Sequence, residues 1–202
     1  MIFPEGREDL STPITLCIYC IRTAGRNILV DAGCDTMPGY PLWDFVSPAQ
    51  AIREIGLSPD EITDVVITHA HHDHIDGLRH FRNATVHISH GAYEKGKKYI
   101  PPTLSVALLE EEVLLAPGIR MREWGGHAKG SSVVEITDGA HIHVLAGDEC
   151  YTQENIVQKR PTGNFVDPVR AMEFVEHYSK APYLVHTCHD ASLKTTMVFE
   201  EV

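Results

Sequence analysis

Apolar residues along this chain gather in short runs separated by turn residues, a pattern of strands more than of long helices. Runs 14–21 (ITLCIYCI) and 26–31 (RNILVD) predict paired strands joined by a turn at Ala24-Gly25. Residues 32–46 are rich in Gly and Pro and predict a loop, with Tyr40, Trp43 and Phe45 expected to pack over the core. Ser47-Pro48 opens a helix, Ser as N-cap and Pro in the first turn, and Ser58-Pro59-Asp60-Glu61 repeats the signal for a shorter one. DVVIT (64–68) reads as a buried strand running straight into His69. TVHIS, from Thr85, predicts another strand with a helix from Ser89. Residues 99–110 favour neither state. Strands follow at 112–116 and 119–124 around Pro117-Gly118, and SVVEIT and HIHVLAG flank Asp138-Gly139 as a hairpin. Asp167-Pro168 starts a helix to about Lys180, YLVHT (183–187) is a strand leading to His189, and 195–199 is a last short strand. With no repeat, low-complexity tract or linker, 1–202 is expected to be a single domain. The pattern alone supports a layered α/β or α+β fold.

Composition narrows this modestly. Hydrophobic residues are 43% and charged residues 22%, which excludes a disordered chain. A net charge of -11 argues against nucleic-acid and anionic-membrane partners. It does not exclude anionic substrates, because bound cations reverse the local sign. The N-terminal MIFPEGREDL has no apolar signal region and no run is long enough to span a bilayer, so a cytoplasmic protein is expected. Five scattered cysteines do not form a disulfide framework. Cys17 and Cys20 sit in a strand-like run, where i and i+3 face opposite sides, so they predict core thiols rather than a redox pair.

The chain carries 13 histidines, and residues 69–74 read His-Ala-His-His-Asp-His. Four strong ligand side chains thus follow a buried strand within one short loop. His69 and His71 can point to one side and share an ion, while Asp73 and His74 face another. Imidazole with carboxylate suits zinc, iron, manganese or cobalt. His69, His127, Asp148 and His189 each follow a strand end or a Gly-rich turn, where loops converge on one edge of a sheet.

HAHHDHIDGL resembles the HxHxDHxxG signature of the metallo-β-lactamase superfamily. Other elements of that pattern are present: NILVDAG (27–33), GGHAKGS with His127, LAGDECYT with Asp148, and CHD with His189. The resemblance runs from about residue 14 to about 192. It implies an αββα sandwich, two mixed β-sheets packed together with helices on the outer faces. Within the superfamily, GDECYTQEN, CHD and HFRNATVHISHGAYE are most similar to N-acyl homoserine lactonases and related small-lactone hydrolases. On that resemblance one metal takes His69, His71 and His127, the other takes Asp73, His74 and His189, and Asp148 bridges. Asp31 would orient a ligand histidine. The implied enzyme is a hydrolase with two divalent ions, zinc first, with manganese, iron(II) or cobalt as alternatives. A metal-bridging hydroxide would open a lactone or ester, Tyr151 would stabilise the oxyanion and Asp73 would pass a proton to the leaving alkoxide.

Two departures bear on the substrate. The family often places a second histidine in a GHxxGH arrangement, and here Ser131 stands there. The chain also starts close to the first matched strand, so the segment that helps shape the family's pocket is expected to be missing or reduced. That would suit a small substrate or a pocket completed in a homodimer. Competing activities are a glyoxalase II-like thioesterase or another hydrolase of the fold, a mononuclear-iron sulfur dioxygenase-like enzyme, and a non-catalytic metal-binding protein. His186 is the alternative to His189 as ligand. His141 and His143 are expected to face solvent, and His72, His80, His87, His90 and His177 to lie at the surface or in packing. Cys150 and Cys188, beside the expected ligands, read as pocket-wall residues.

Overall fold

A computed structural model describes residues 2–5, 12–23, 25–192 and 198–199, so Ala24 of the first turn and 195–197 of the last strand lie outside the described residues. The strands are β1 (Tyr19–Thr23), β2 (Arg26–Val30), β3 (Asp64–Ile67), β4 (Thr85–Ser89), β5 (Ser105–Leu109), β6 (Glu112–Ala116), β7 (Ile119–Glu123), β8 (Ser132–Asp138), β9 (His141–Leu145), β10 (Tyr183–His186) and β11 (Val198–Phe199). The helices are α1 (Pro48–Glu54), α2 (His72–Ile75), α3 (His90–Gly96), α4 (Gln153–Gln158) and α5 (Pro168–Tyr178). One sheet has the order β11-β1-β2-β3-β4-β5 and the other β10-β9-β8-β7-β6. Both are mixed: β2 to β5 pair in parallel, as do β9 and β10, while β1–β2 and β6 to β9 are antiparallel.

Strand alternation sorts the apolar residues into three layers. Ile28, Val30 and Val66 point between the sheets and meet Ile119, Met121, Val134, Ile136 and Leu145. Their neighbours Leu29, Val65 and Ile67 point the other way, onto Ile52, Ile75, Leu78 and Phe81 beneath the helices. On the far face, Val133 and Val144 pack against Phe174, Val175 and Tyr178 of α5. The result is an αββα sandwich. Each large apolar side chain buried this way contributes about 1.5–3 kcal/mol, against about 1 kcal/mol for a helix cap. Layer packing therefore outweighs the caps in setting the fold, while the caps set where helices begin. Ser47, Ser89 and Asp167 cap α1, α3 and α5 with their side-chain oxygens, at the places their sequence signals predict.

Several expectations need correction. Tyr40 and Trp43 are 69% and 73% exposed and Phe45 is also exposed, so these aromatics do not pack over the core. Pro38, Pro41 and the positive φ of Gly39 and Asp44 hold the loop away from the layers. Residues 14–18 precede β1 without joining a strand, residues 105–109 form β5, and α4 is an additional helix. His143 does not simply face solvent: its Nδ1 lies 2.8 Å from Nε2 of His186 on the neighbouring strand. Cys17 and Cys20 do separate, Cys20 joining the helix-side core and Cys17 the layer between the sheets. All five cysteines are free, and no helix among the described residues is long and apolar enough to cross a membrane.

The topology brings the C-terminal ends of β2, β3, β9 and β10 to one edge of the sandwich. The β7–β8 loop returns to the same edge because β8 runs antiparallel to β9. Ser132 N donates to Thr68 O at 2.8 Å, joining the two sheets there.

Candidate metal centre

His69 follows β3 through Thr68, and α2 then turns the chain so that His74 looks back at the same edge. This bend needs a glycine at position 77: its amide donates to Gly33 O at 2.8 Å, and a Cβ there would lie 2.1 Å from Ala32 O. Asp148 follows β9 through Gly147, whose φ is +50° and whose missing Cβ would meet Thr68 Oγ1 at 2.7 Å. His127 comes from the β7–β8 loop, and His189 from the segment after β10.

These side chains converge in two groups that share one carboxylate. In the first, His71 Nδ1 is 2.9 Å from His69 Nε2 and 3.1 Å from His127 Nε2. Asp148 Oδ2 lies 3.4, 3.2 and 4.0 Å from the nitrogens of His69, His127 and His71. In the second, Asp148 Oδ1 is 3.0 Å from Nε2 of both His74 and His189. Asp73 flanks this group, its Oδ2 3.7 Å from each of the same two nitrogens. His69, His74, His127, Asp148 and His189 are buried, whereas His71 opens to solvent.

The outward nitrogens show what the inward ones are for. His127 Nδ1 donates to Asn164 O and His189 Nδ1 to Thr15 O, each at 2.8 Å. His74 Nδ1 donates to Asp31 Oδ2 at 2.7 Å. Thr68 Oγ1 gives its proton to the same Asp31 oxygen at 2.9 Å, so it accepts from His69 Nδ1 at 3.1 Å. With these protons committed outward, the inward Nε2 atoms present lone pairs, the arrangement divalent-metal sites use. His74 Nε2 is buried and makes no hydrogen bond. The donor set thus fits two divalent cations: three imidazoles and a carboxylate oxygen on one side, two imidazoles and the other oxygen on the second.

Electrostatics agree with that fit. Burial and neighbouring His74 push His69 well below the usual histidine range. Burial opposes charge on His74, but Asp148, Asp31 and Asp73 outweigh it and hold its pKa well above. Burial likewise opposes the Asp148 carboxylate, and His74, His189 and His69 outweigh it and hold its pKa well below. Without cations, a protonated His74 is what offsets the clustered carboxylates.

Asp31 therefore holds two of the clustered imidazoles, His74 directly and His69 through Thr68. It does so from a left-handed backbone, φ 62°, which an Asp adopts at some cost. Asp31→Ala is expected to lower divalent-cation affinity about 10–100-fold. Thr68→Val removes only the arm to His69 and should cost less. Competition with a chromogenic chelator measures both, and wild-type affinity in Asp31→Ala would remove the orienting role.

Tyr151 sits across the two groups, its ring centroid 5.8 Å from that of His127 and 5.1 Å from that of His189. His186, paired with His143, belongs to neither group. Sequence reasoning missed Thr68 and also Glu149. The buried Glu149 carboxylate accepts from Gly126 N at 3.0 Å, from His127 N at 3.1 Å and from the Ser131 hydroxyl, so it anchors the loop that carries His127. Burial pushes it up to about 7. Ser131 at the GHxxGH position is thus part of this anchor.

The geometry has known counterparts. A structure of an N-acyl homoserine lactone hydrolase with the product N-hexanoyl-L-homoserine at its catalytic metal centre superposes with a TM-score of 0.75, at 22% identity over 89% of this chain and 82% of that one. A dizinc quorum-quenching lactonase, AidC, superposes with a TM-score of 0.71 at 18% identity, covering 88% and 73%. At these identities the likeness is one of fold. Among curated proteins, the N-acyl homoserine lactonase AiiA of Bacillus thuringiensis subsp. kurstaki is 26% identical over 163 residues, 74% of this chain and 65% of its own length. A probable metallo-hydrolase of Methanocaldococcus jannaschii is 29% identical over 147 residues, 70% of this chain and 63% of its own. The chain therefore spans somewhat less than two thirds of these relatives. The profile of the Metallo-beta-lactamase superfamily matches residues 18–195, nearly the whole chain, and the chain belongs to that superfamily.

Proposed function

We propose that this protein is a dinuclear metal-dependent hydrolase that opens a lactone or an ester. One cation takes His69, His71 and His127, the other takes Asp73, His74 and His189, and Asp148 is common to both. The observation that carries this reading is the shared carboxylate, with one oxygen 3.2 Å from His127 Nε2 and the other 3.0 Å from both His74 and His189. Zinc is the proposed metal, because imidazole and carboxylate donors at this density suit it. The names of the lactonase relatives support a lactone as the substrate class. We further propose that residues 1–202 work as one domain, in keeping with three cores stacked on two adjoining sheets.

A cation pair held by these residues would supply Lewis acidity, lowering the pKa of water towards about 7 and polarising the substrate carbonyl. The chain's own groups do the rest. Burial, and then the Asp148 charge, raise the Tyr151 phenol above its usual range, so it stays protonated and can donate to the carbonyl oxygen as charge develops. Asp73, largely buried beside the second group, would take up the proton that the attacking water gives up and pass it to the leaving alkoxide as the ring opens. The Asp148 oxygens keep the two ligand groups at a fixed separation.

Proton release on a panel of small lactones, with zinc- or manganese-loaded protein against a chelated control, tests the activity. Metal-dependent acid release is the expected result. Metal-loaded protein that leaves every lactone and simple ester intact would overturn the assignment and move thioesters and iron-dependent oxygen chemistry forward. Tyr151→Phe is expected to lower kcat about 10²–10³-fold, as for loss of one oxyanion donor, with metal content unchanged. A variant with wild-type kcat would show that the tyrosine is only a wall of the pocket.

A further inference from the structure

The second ligand group contains one more donor than the family assignment supplies. Cys188 directly precedes His189 after β10 and is 2% exposed. Its Sγ lies 3.2 Å from Asp148 Oδ1 and 3.3 Å from Gly147 O. That same Oδ1 is 3.0 Å from Nε2 of His74 and of His189. One ligand atom from each of His74, Asp148, Cys188 and His189 falls within 4.8 Å of the others, and all four residues are buried. His74 Nε2 is buried, makes no hydrogen bond and faces Asp148 Oδ1 within this cluster.

We propose that Cys188 coordinates the second cation as a thiolate, making that position a mixed nitrogen, oxygen and sulfur site. The proposal rests on the dinuclear reading above. In a tetrahedral shell, bonds of ~2.0 Å to nitrogen or oxygen and ~2.3 Å to sulfur would place neighbouring donor atoms roughly 3.3–3.8 Å apart. The three separations from Asp148 Oδ1, 3.0, 3.0 and 3.2 Å, fall slightly short of that range, so small outward shifts of the side chains would seat a cation. A core thiol can also meet a backbone carbonyl, as Cys150 Sγ meets Thr152 O, but the Cys188 sulfur touches a carboxylate of the cluster as well. On coordination the thiol proton leaves to solvent, since a cation-bound cysteine is deprotonated. Asp73, at 3.7 Å from both histidine nitrogens, would then be a fifth donor that can exchange with substrate.

This makes the two positions chemically unequal. The first has only imidazole and carboxylate donors. The second gains a soft sulfur, which favours zinc or cobalt and disfavours manganese. Cys188 is thereby a determinant of which metal fills the second position.

Cobalt(II) titration of the full-length protein tests this without a variant. The expected result is d–d absorption growing through two equivalents, with a near-ultraviolet sulfur-to-cobalt charge-transfer band that follows only the filling of the second position. Cys188→Ser should abolish that band and weaken the second equivalent roughly 10-fold or more, since a lost ligand costs at least as much as a lost outer contact. Two equivalents of cobalt without the charge-transfer band in wild-type protein would overturn thiolate coordination and leave the dinuclear reading standing. A band that persists in Cys188→Ser would overturn it as well, assigning the sulfur to another cysteine. Failure to bind cobalt at all would overturn the dinuclear reading and this proposal together.

Discussion

Stripping the protein of divalent cations is expected to abolish hydrolysis and to lower the unfolding temperature by roughly 8–16 °C relative to the loaded form. The activity loss follows from the site: without cations, its inward-facing donors include no activated nucleophile. The stability loss follows from linkage. A cation present at about 1,000 times its Kd stabilises the native state by about 4 kcal/mol, provided the unfolded chain binds it poorly. In a chain of this size each kcal/mol moves Tm by about 2–4 °C. The unfolded chain cannot reproduce the site, because its residues come from four segments far apart in sequence: residues 69–74, His127, Asp148 and His189. Scanning calorimetry of chelated and reloaded protein, run alongside the lactone assay, reads both effects. Equal Tm values with and without metal would mean that the cluster does not hold cations with useful affinity, and the dinuclear reading would go with it.

The sequence makes some layers of this site plain and hides others for physical reasons. His69, His71, Asp73 and His74 lie within one loop after a strand, so their shared direction follows from local geometry. His127, Asp148 and His189 carry only a weak local signal, each following a strand end or a Gly-rich turn; the family pattern singles them out, and the arrival of the β7–β8 loop and of the ends of β9 and β10 at one edge explains their meeting. The Asp31–Thr68–His69 relay was half visible. Asp31 could be named as an orienting carboxylate, but its bond to Thr68 depends on the parallel register that pairs Val30 with Val66. Glu149 is invisible in sequence because its partners, Gly126, His127 and Ser131, belong to another loop, and a glutamate beside Asp148 after the apolar run of β9 signals nothing by itself. The sequence places Cys188 beside His189 but does not say where its sulfur points, which only the fold shows. The fold followed the same division. Capped helices and the Asp138-Gly139 hairpin were legible from local chemistry. The exposed aromatics at 40–45 were not, since loop placement depends on how its anchors sit. The polar α4 carries its own capping box, in which Asn155 Oδ1 accepts from Thr152, but its six residues are too short for a periodic signal.

Among single substitutions, Asp148→Ala is expected to have the largest effect, because its two carboxylate oxygens face the two groups, one each. Its two oxygens approach four imidazole nitrogens at 3.0 to 3.4 Å, and a fifth, on His71, at 4.0 Å. Removing them leaves the first position three imidazoles and takes the central oxygen from the second. Metal content after gel filtration should fall from two equivalents to one or fewer. Loss of the cation pair removes several kcal/mol of transition-state stabilisation, so kcat/KM should drop on the order of 10³-fold or more. Asp148→Asn separates charge from shape: the amide oxygen can replace one ligand atom but not both, and it brings no negative charge to hold two cations close together. It should therefore retain one equivalent, with activity nearer to the alanine variant than to wild type. The gap in Tm between loaded and stripped protein should shrink in both variants, since that gap measures the cation binding that Asp148 supports. If Asp148→Ala kept two equivalents and a wild-type Tm gap, the carboxylate would not be the bridge, and the two groups would have to be read as independent sites.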